Sequence, residues 1–365
     1  MRRTILVLVA CLGGAGAFEQ LQSEQPLRSP WDLNKVSLTE AAYECPSSVH
    51  LSADLTTDGF YSDSKSSVID PVKWKAYIES SGPYKSLGDR AASAADAYRT
   101  TGSRAAAQCV LELLDRAAAD GVFTGKMSSR QAYYVQGWVI GALAIAYLKI
   151  RDSGRTNPAE VASLTEWMKD VARQTMNYYD SAMAKPGGEL QNNHLYWAGV
   201  EVGAIAIAAN DRPMFDWAIA AYRNGIRQIT PEGTLPLEMR RGQRALHYHL
   251  YAIAPLVYLA EFGGDNGIDL FAESNLALKQ LVSRSIAGLA GSGYFDHETG
   301  VKQDTPNGPP TAEAISWARI YVKHFPDPGI SAMISRANSL SYMYLGGLPP
   351  YLRAIEGVRS RSVRR

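Results

Sequence analysis

From about Trp74 onward, apolar positions recur at helical spacing in alanine-rich segments that are separated by short Gly, Pro and Asn punctuation. The pattern predicts helices over Arg104 to Ala119, Arg130 to Lys149, Glu166 to Tyr179, His194 to Ala209, Pro213 to Gln228, Arg241 to Phe262, Leu270 to Leu289 and Ala312 to Lys323. Ser103 stands before the first of these, and Ser128 and Ser129 before the second. Each serine can accept a hydrogen bond from a free amide of the first turn. Asn157-Pro158 opens a further helix. Period-two alternation is nearly absent, so the expected fold class is all-α. Amphipathic helices joined by short turns form antiparallel hairpins, and an array of them can close or half-close into a barrel.

The two ends read differently. Residues 1–17 carry Arg2 and Arg3, an apolar run from Ile5 to Leu12 and the small residues Ala15-Gly16-Ala17, the pattern of a cleavable export signal. Leu8-Val9-Ala10-Cys11 also fits a lipoprotein site, with Cys11 acylated, as a minor alternative. Residues 18–71 are rich in Ser, Asp, Pro and Thr and read as an irregular arm; 72–358 is the helical domain; 359–365, with four arginines, is a basic disordered tail. No later run of about eighteen uninterrupted apolar residues suggests a transmembrane anchor.

Composition narrows the picture modestly. The chain has 365 residues, 46% hydrophobic and 20% charged, which suits one large soluble domain and a monomer. A net charge of +1 gives no global field for nucleic acid, so any polyanion must be met by a local patch. After export Cys45 and Cys109 are an even pair in an oxidising compartment, and a disulfide between them is expected.

Two blocks concentrate chemistry. Asn192-Asn193-His194-Leu195-Tyr196-Trp197 follows Gly187-Gly188 and precedes an apolar run, which puts amides, an imidazole and aromatics at one helix end. Alone, it reads more simply as ordinary capping by Asn192 beside a hydrogen-bonded His194. The second block is Arg240-Arg241-Gly242-Gln243-Arg244-Ala245-Leu246-His247-Tyr248-His249-Leu250-Tyr251. If it is helical throughout, Arg241, Arg244, Tyr248 and Tyr251 share one cationic, phenolic face.

Together these blocks resemble the alginate lyases of polysaccharide lyase family 5, whose similar blocks read Asn-Asn-His-x-Tyr-Trp and Arg-x-Gln-Arg-Ala-Leu-x-Tyr-His-x-Tyr. Here 54 positions separate His194 from Tyr248, similar to the family spacing. Phe215-Asp216-Trp217-Ala218, Gly233, Leu235-Pro236 and Leu345-Gly346-Gly347 extend the resemblance over most of the chain. It implies an incomplete (α/α) toroid with a long cleft, a periplasmic or secreted location, an anionic uronic-acid polysaccharide as substrate, and β-elimination with neither metal nor other cofactor.

The residues suit that chemistry. Abstraction of the C5 proton of a hexuronate pushes negative charge onto its carboxylate, which Asn193 and a neutral His194 can stabilise as hydrogen-bond donors. Tyr248 fits the proton carrier, and Arg241 beside it favours the phenolate. In mannuronate and glucuronate the C5 proton and the C4 oxygen share a side, so one tyrosine can be base and then acid; for guluronate, His194 becomes the candidate base.

Trp197 either stacks on a sugar or belongs to the core, and Arg244 and Tyr251 either position substrate or pack beneath it. His247 and His249 point apart on a helix and do not make a metal pair. The resemblance suggests Lys65, in the arm, as a lysine that closes over the cleft. Two departures bear on specificity: Tyr344 stands where the family pattern leads one to expect a carboxylate-gripping arginine, and His247 replaces a usually small residue. Both point to a cleft that accepts glucuronan or hyaluronan beside polymannuronate. A hydrolase needs a pair of acids across the bond, and Glu201 and Glu238 read more simply as helix-end or packing residues. The remaining alternative is a polysaccharide-binding protein of the same fold that turns over weakly.

Overall fold

A computed structural model of the chain describes residues 25–154, 157–185, 190–305 and 308–351. The candidate leader with Cys11 and the basic tail lie outside the described residues. The helices are α1 Pro71–Thr101, α2 Arg104–Ala119, α3 Arg130–Ile150, α4 Pro158–Met183, α5 Asn193–Ala209, α6 Arg212–Arg227, α7 Pro236–Met239, α8 Ala245–Asp265 and α9 Glu273–Ala290. Four short ones follow: α10 Gly293–Thr299, α11 Ala312–Ile315, α12 Ala318–His324 and α13 Pro328–Arg336. Isolated bridges are the only β-pairing among the described residues.

Local chemistry sets the starts. Asp70, Ser103, Ser129, Asn157, Asn192 and Asp211 each accept from an amide of the following first turn. Helices α1, α4 and α6 also carry Pro in their first turn, where the missing N–H costs nothing.

The helices sort into two shells by how apolar they are around their circumference. Along α5 every residue from Asn193 to Ile207 is buried, and α3 and α8 are buried nearly as fully. By contrast, α6 buries a stripe that includes Phe215, Ala218, Ile219, Tyr222 and Ile226, the spacing of a helix with one face in solvent. Inner neighbours pack as α1 on α3, α3 on α5 and α5 on α8, with α2, α4, α6 and α9 outside them. Between α8 and α1 there is no comparable packing. There the 3₁₀ turn Met343–Leu345 lies against α1 and α3. The result is an incomplete (α/α) toroid. Although α3 is long and apolar enough to cross a membrane, 89% of its most apolar window is buried among the other helices. Gly137 and Gly141 admit α5 closely, since a Cβ at Gly141 would lie 3.2 Å from Cα of Glu201.

Residues 25–70 contain no helix and run along the ends of α1, α2 and α3. Cys45 and Cys109 form the expected disulfide, with a Cα–Cα distance of 5.4 Å, which staples this arm to α2. With the two cysteines 64 positions apart in sequence, the bridge contributes on the order of 4 kcal/mol in the chain-entropy model. Beyond it, Leu55 pairs with Met127, and Asp63 accepts from the amides of Lys65, Ser67 and Val68, which closes residues 61–69 into a compact loop.

Two expected elements differ. The helix predicted from Arg241 begins only at Ala245: Gly242 adopts φ +57°, and Gly242–Arg244 is a 3₁₀ turn. The helix predicted over 312–323 is interrupted after Ile315, where the indole of Trp317 donates back to the carbonyl of Ala314.

Candidate active site

The first residue of α3, the cap of α5 and the first turns of α8 all border one cleft of about 840 Å³. The inner helices therefore point their N-termini at the same space. Their free amides and dipoles favour negative charge there, before any side chain is counted.

The floor is built at the start of α5. The backbone amide and Nδ2 of Asn193 both donate to Oε1 of Glu238, at 2.9 and 2.8 Å, and both residues are fully buried. Oδ1 of Asn193 has no protein partner. Oε2 of Glu238 faces Nε of Arg241 at 3.6 Å. Burial raises the Glu238 carboxyl above its ordinary range, against the opposing pull of Arg241 and Asn193. Next along α5, the His194 ring stacks on Tyr134 with centroids 3.5 Å apart and planes 5° from parallel. Burial, then Arg241 and Arg130, hold this imidazole well below its usual pKa, so it is neutral at neutral pH. Its Nδ1 is buried without a protein partner.

Opposite stands the second block. The Arg241 guanidinium lies 3.9 Å from the centroid of the Tyr248 ring, and Arg244 lies at 5.6 Å. The hydroxyls of Tyr248 and Tyr61 are 2.6 Å apart. The sequence suggested a Tyr248 phenol lowered by Arg241. Arg241 does act in that direction, but burial is the larger cause and the phenol sits above its ordinary range. His247 contacts Nη2 of Arg244 at 3.0 Å, and burial with the two arginines pushes it down to about 3. The other histidine of the block turns inward: Nε2 of His249 accepts from the amide of Leu235, and Nδ1 lies 2.7 Å from the carbonyl of Ala245.

The arm supplies the roof. Nη1 of Arg241 donates to the carbonyl of Lys65 at 3.3 Å, and Gln243 donates to that of Ser67 at 3.1 Å. The Lys65 side chain is exposed at the rim.

A cleft built in this way has recognisable relatives. The alginate lyase family model matches residues 54–295, well over half of the chain. The chain belongs to the alginate lyase family. A polysaccharide lyase of Stenotrophomonas maltophilia (strain K279a) is 35% identical over 308 residues, covering 84% of this chain and 89% of that protein. An alginate lyase of Cobetia marina is 35% identical over 201 residues, which span 54% of this chain and 53% of that one. Among solved structures, alginate lyase A1-III in complex with a tetrasaccharide superposes with a TM-score of 0.74 at 20% identity, over 91% of each chain. Alginate lyase A1-III from Sphingomonas species A1 gives 0.67 at 20% identity, over 91% of this chain and 92% of that one. This chain is thus a polysaccharide lyase on an (α/α) toroid.

Of the residues singled out in the sequence of this alginate lyase family member, His194, Arg241, Arg244, His247, Tyr248, Tyr251 and Tyr344 line the cleft, and Asn193 lies directly beneath it. Tyr344 stacks on Trp138, with centroids 4.6 Å apart. Trp197 is 4% exposed, does not border the cleft and packs under Tyr251. Sequence reasoning missed Glu238, Tyr61, Tyr134 and Arg130. The first was taken for a packing residue, and its partner Asn193 is 45 residues away. No local signal links the two.

Proposed function

We propose that the chain cleaves 1,4-linked polyuronates by β-elimination, polymannuronate foremost, with glucuronan and hyaluronan as further substrates. The observation that carries this reading is the pairing, across one cleft, of a neutral buried His194 and Asn193 with a Tyr248 phenol held against Arg241. The sugar carboxylate rests on the floor, where Asn193 and His194 donate to it as charge develops. Tyr248 takes the C5 proton, the C4–O bond breaks, C4 and C5 become doubly bonded, and Tyr248 returns the proton to the leaving oxygen. Arg241 favours the phenolate form that this sequence requires. Tyr61 stabilises the Tyr248 hydroxyl between turnovers. The relatives' names, which specify alginate lyases and a polysaccharide lyase, support the substrate class. The Cys45–Cys109 bridge supports work outside the cytoplasm.

The direct test is a panel of polymannuronate, polyguluronate, glucuronan, hyaluronan and pectate, followed by ultraviolet absorbance of the conjugated product. Polymannuronate should give the fastest rise. Chain shortening without new absorbance would overturn elimination, and polymer binding without shortening would favour a weakly active binding protein.

A further inference from the structure

A second groove, of about 420 Å³, lies outside the cleft on the outer surface between α3 and α4. Along α4 it is lined by Gln174, Asn177, Tyr178 and Ser181, spaced to share one helix face, and just past the helix end by Lys185. From α3 comes Tyr133, whose ring stacks on that of Tyr178 at 3.9 Å and 12° from parallel. Both tyrosines are half-buried, so their edges and outer surfaces remain accessible, while Asn177, Ser181 and Lys185 are exposed. Core packing does not account for an aromatic pair beside amides, a hydroxyl and an ammonium on an outer surface.

One side chain reaches both the cleft and the edge of the groove. Arg130 borders the cleft, where its charge acts on His194, and it also hydrogen-bonds Tyr178. Three and four residues further along α3, two adjacent tyrosines face opposite ways: Tyr134 stacks on His194 inside, and Tyr133 stacks on Tyr178 outside.

We propose that this groove is an outer binding site for the same polyuronate chain, gripping units that have left the cleft past Arg130. It rests on the polyuronate reading above. The chemistry matches the ligand: C–H faces of a pyranose are drawn to an aromatic face, amides and a hydroxyl pair with vicinal diols, and an ammonium meets a uronate carboxylate. A polymer long enough to occupy both places binds the second intramolecularly, whereas a short oligomer gains nothing from it.

The test compares the full-length protein with Lys185→Glu, Asn177→Ala and Tyr133→Ala, on long polymannuronate and on a purified tetramannuronate. Retardation in native gels containing the polymer is measured in parallel. For Lys185→Glu, KM on polymer should rise by about tenfold with kcat unchanged, while kinetics on the tetramer stay at the wild-type value. Lys185 and Asn177 are exposed, so these two variants test the groove even if Tyr133→Ala folds poorly. Variants equal to wild type on both substrates, and equally retarded, would overturn the outer site alone. If the wild type makes no unsaturated product from any uronate polymer, the lyase reading fails. The gel then decides the groove separately: variant-dependent retardation sustains it, and none removes it.

Discussion

The floor and the roof of the cleft are held by different physics. In the floor, Asn193, Glu238 and His194 are locked among neighbours that exclude water, and the donors of Asn193 and the carboxylate they meet are matched to each other in the interior. The roof is an arm stapled at Cys45, latched by two side-chain bonds to backbone carbonyls and by the Tyr61–Tyr248 contact. Partly exposed bonds of this kind are each worth only about 0.5–1.5 kcal/mol. In the function proposed above, the floor fixes where charge is stabilised, and the roof is the part held weakly enough to open for a polymer.

Changes at five positions would break or sharpen that contrast. Tyr248→Phe, where floor meets roof, should lower kcat on polymannuronate by about 10³-fold while stability falls by only about 1 kcal/mol, because the proton carrier and its Tyr61 contact are lost but the ring packing is kept. Near-normal turnover would remove Tyr248 from the mechanism. In the wild type, a phenol raised by burial means that turnover climbs from neutral into alkaline pH. Removing the attraction of Arg241 should move that limb to higher pH.

Glu238→Ala strikes the floor. It leaves the two buried donors of Asn193 without an acceptor, and should cost about 3 kcal/mol in denaturant unfolding together with a large fall in kcat. Glu238→Gln keeps an acceptor and should recover most of both; no difference between the two would show that Glu238 does not position Asn193.

Glu201, on α5 about two turns beyond Asn193, provides a smaller effect. It is fully buried, with a hydrogen bond from Thr175 at 2.7 Å, and burial pushes its carboxyl up to about 8. Its proton is held in the folded state but lost in the unfolded chain above the ordinary carboxyl pKa. Stability should therefore fall as pH rises from about 4.5 to about 8. Glu201→Gln should flatten that dependence in melting curves and stabilise the protein most at the alkaline end.

The smallest effect belongs to the roof. Tyr61→Phe removes one hydroxyl contact, about 1 kcal/mol, and should speed hydrogen exchange in residues 61–69 with only a several-fold change in kcat/KM. Unchanged exchange would mean that Tyr61 does not help to hold the loop.

Local signals made much of this legible in the chain. Ser103, Ser129, Asn157 and Asn192 marked helix starts because a cap is a contact within three residues. The cysteine pair was legible because only Cys45 and Cys109 lie beyond the candidate leader. Arg241 was misplaced on a helix because the periodicity of its block is compatible with one, while the positive φ of Gly242 is imposed by how the turn meets the arm. Glu238, Tyr61 and Tyr134 escaped notice for a common reason. Each acquires its role from a partner remote in sequence, and one chain read alone holds no trace of such pairs.

The shared direction of the inner helices divides labour along the toroid axis. Residues that line the cleft sit on the early turns of α3, α5 and α8, while later turns of those helices are mainly apolar and buried in the core. On the reading proposed above, substitutions at the mouth, such as at His247 and Tyr344, would alter which sugar is accepted at little expense to the scaffold. A fold arranged in this way leaves selection free to explore new polymers at one end while the other keeps the protein folded.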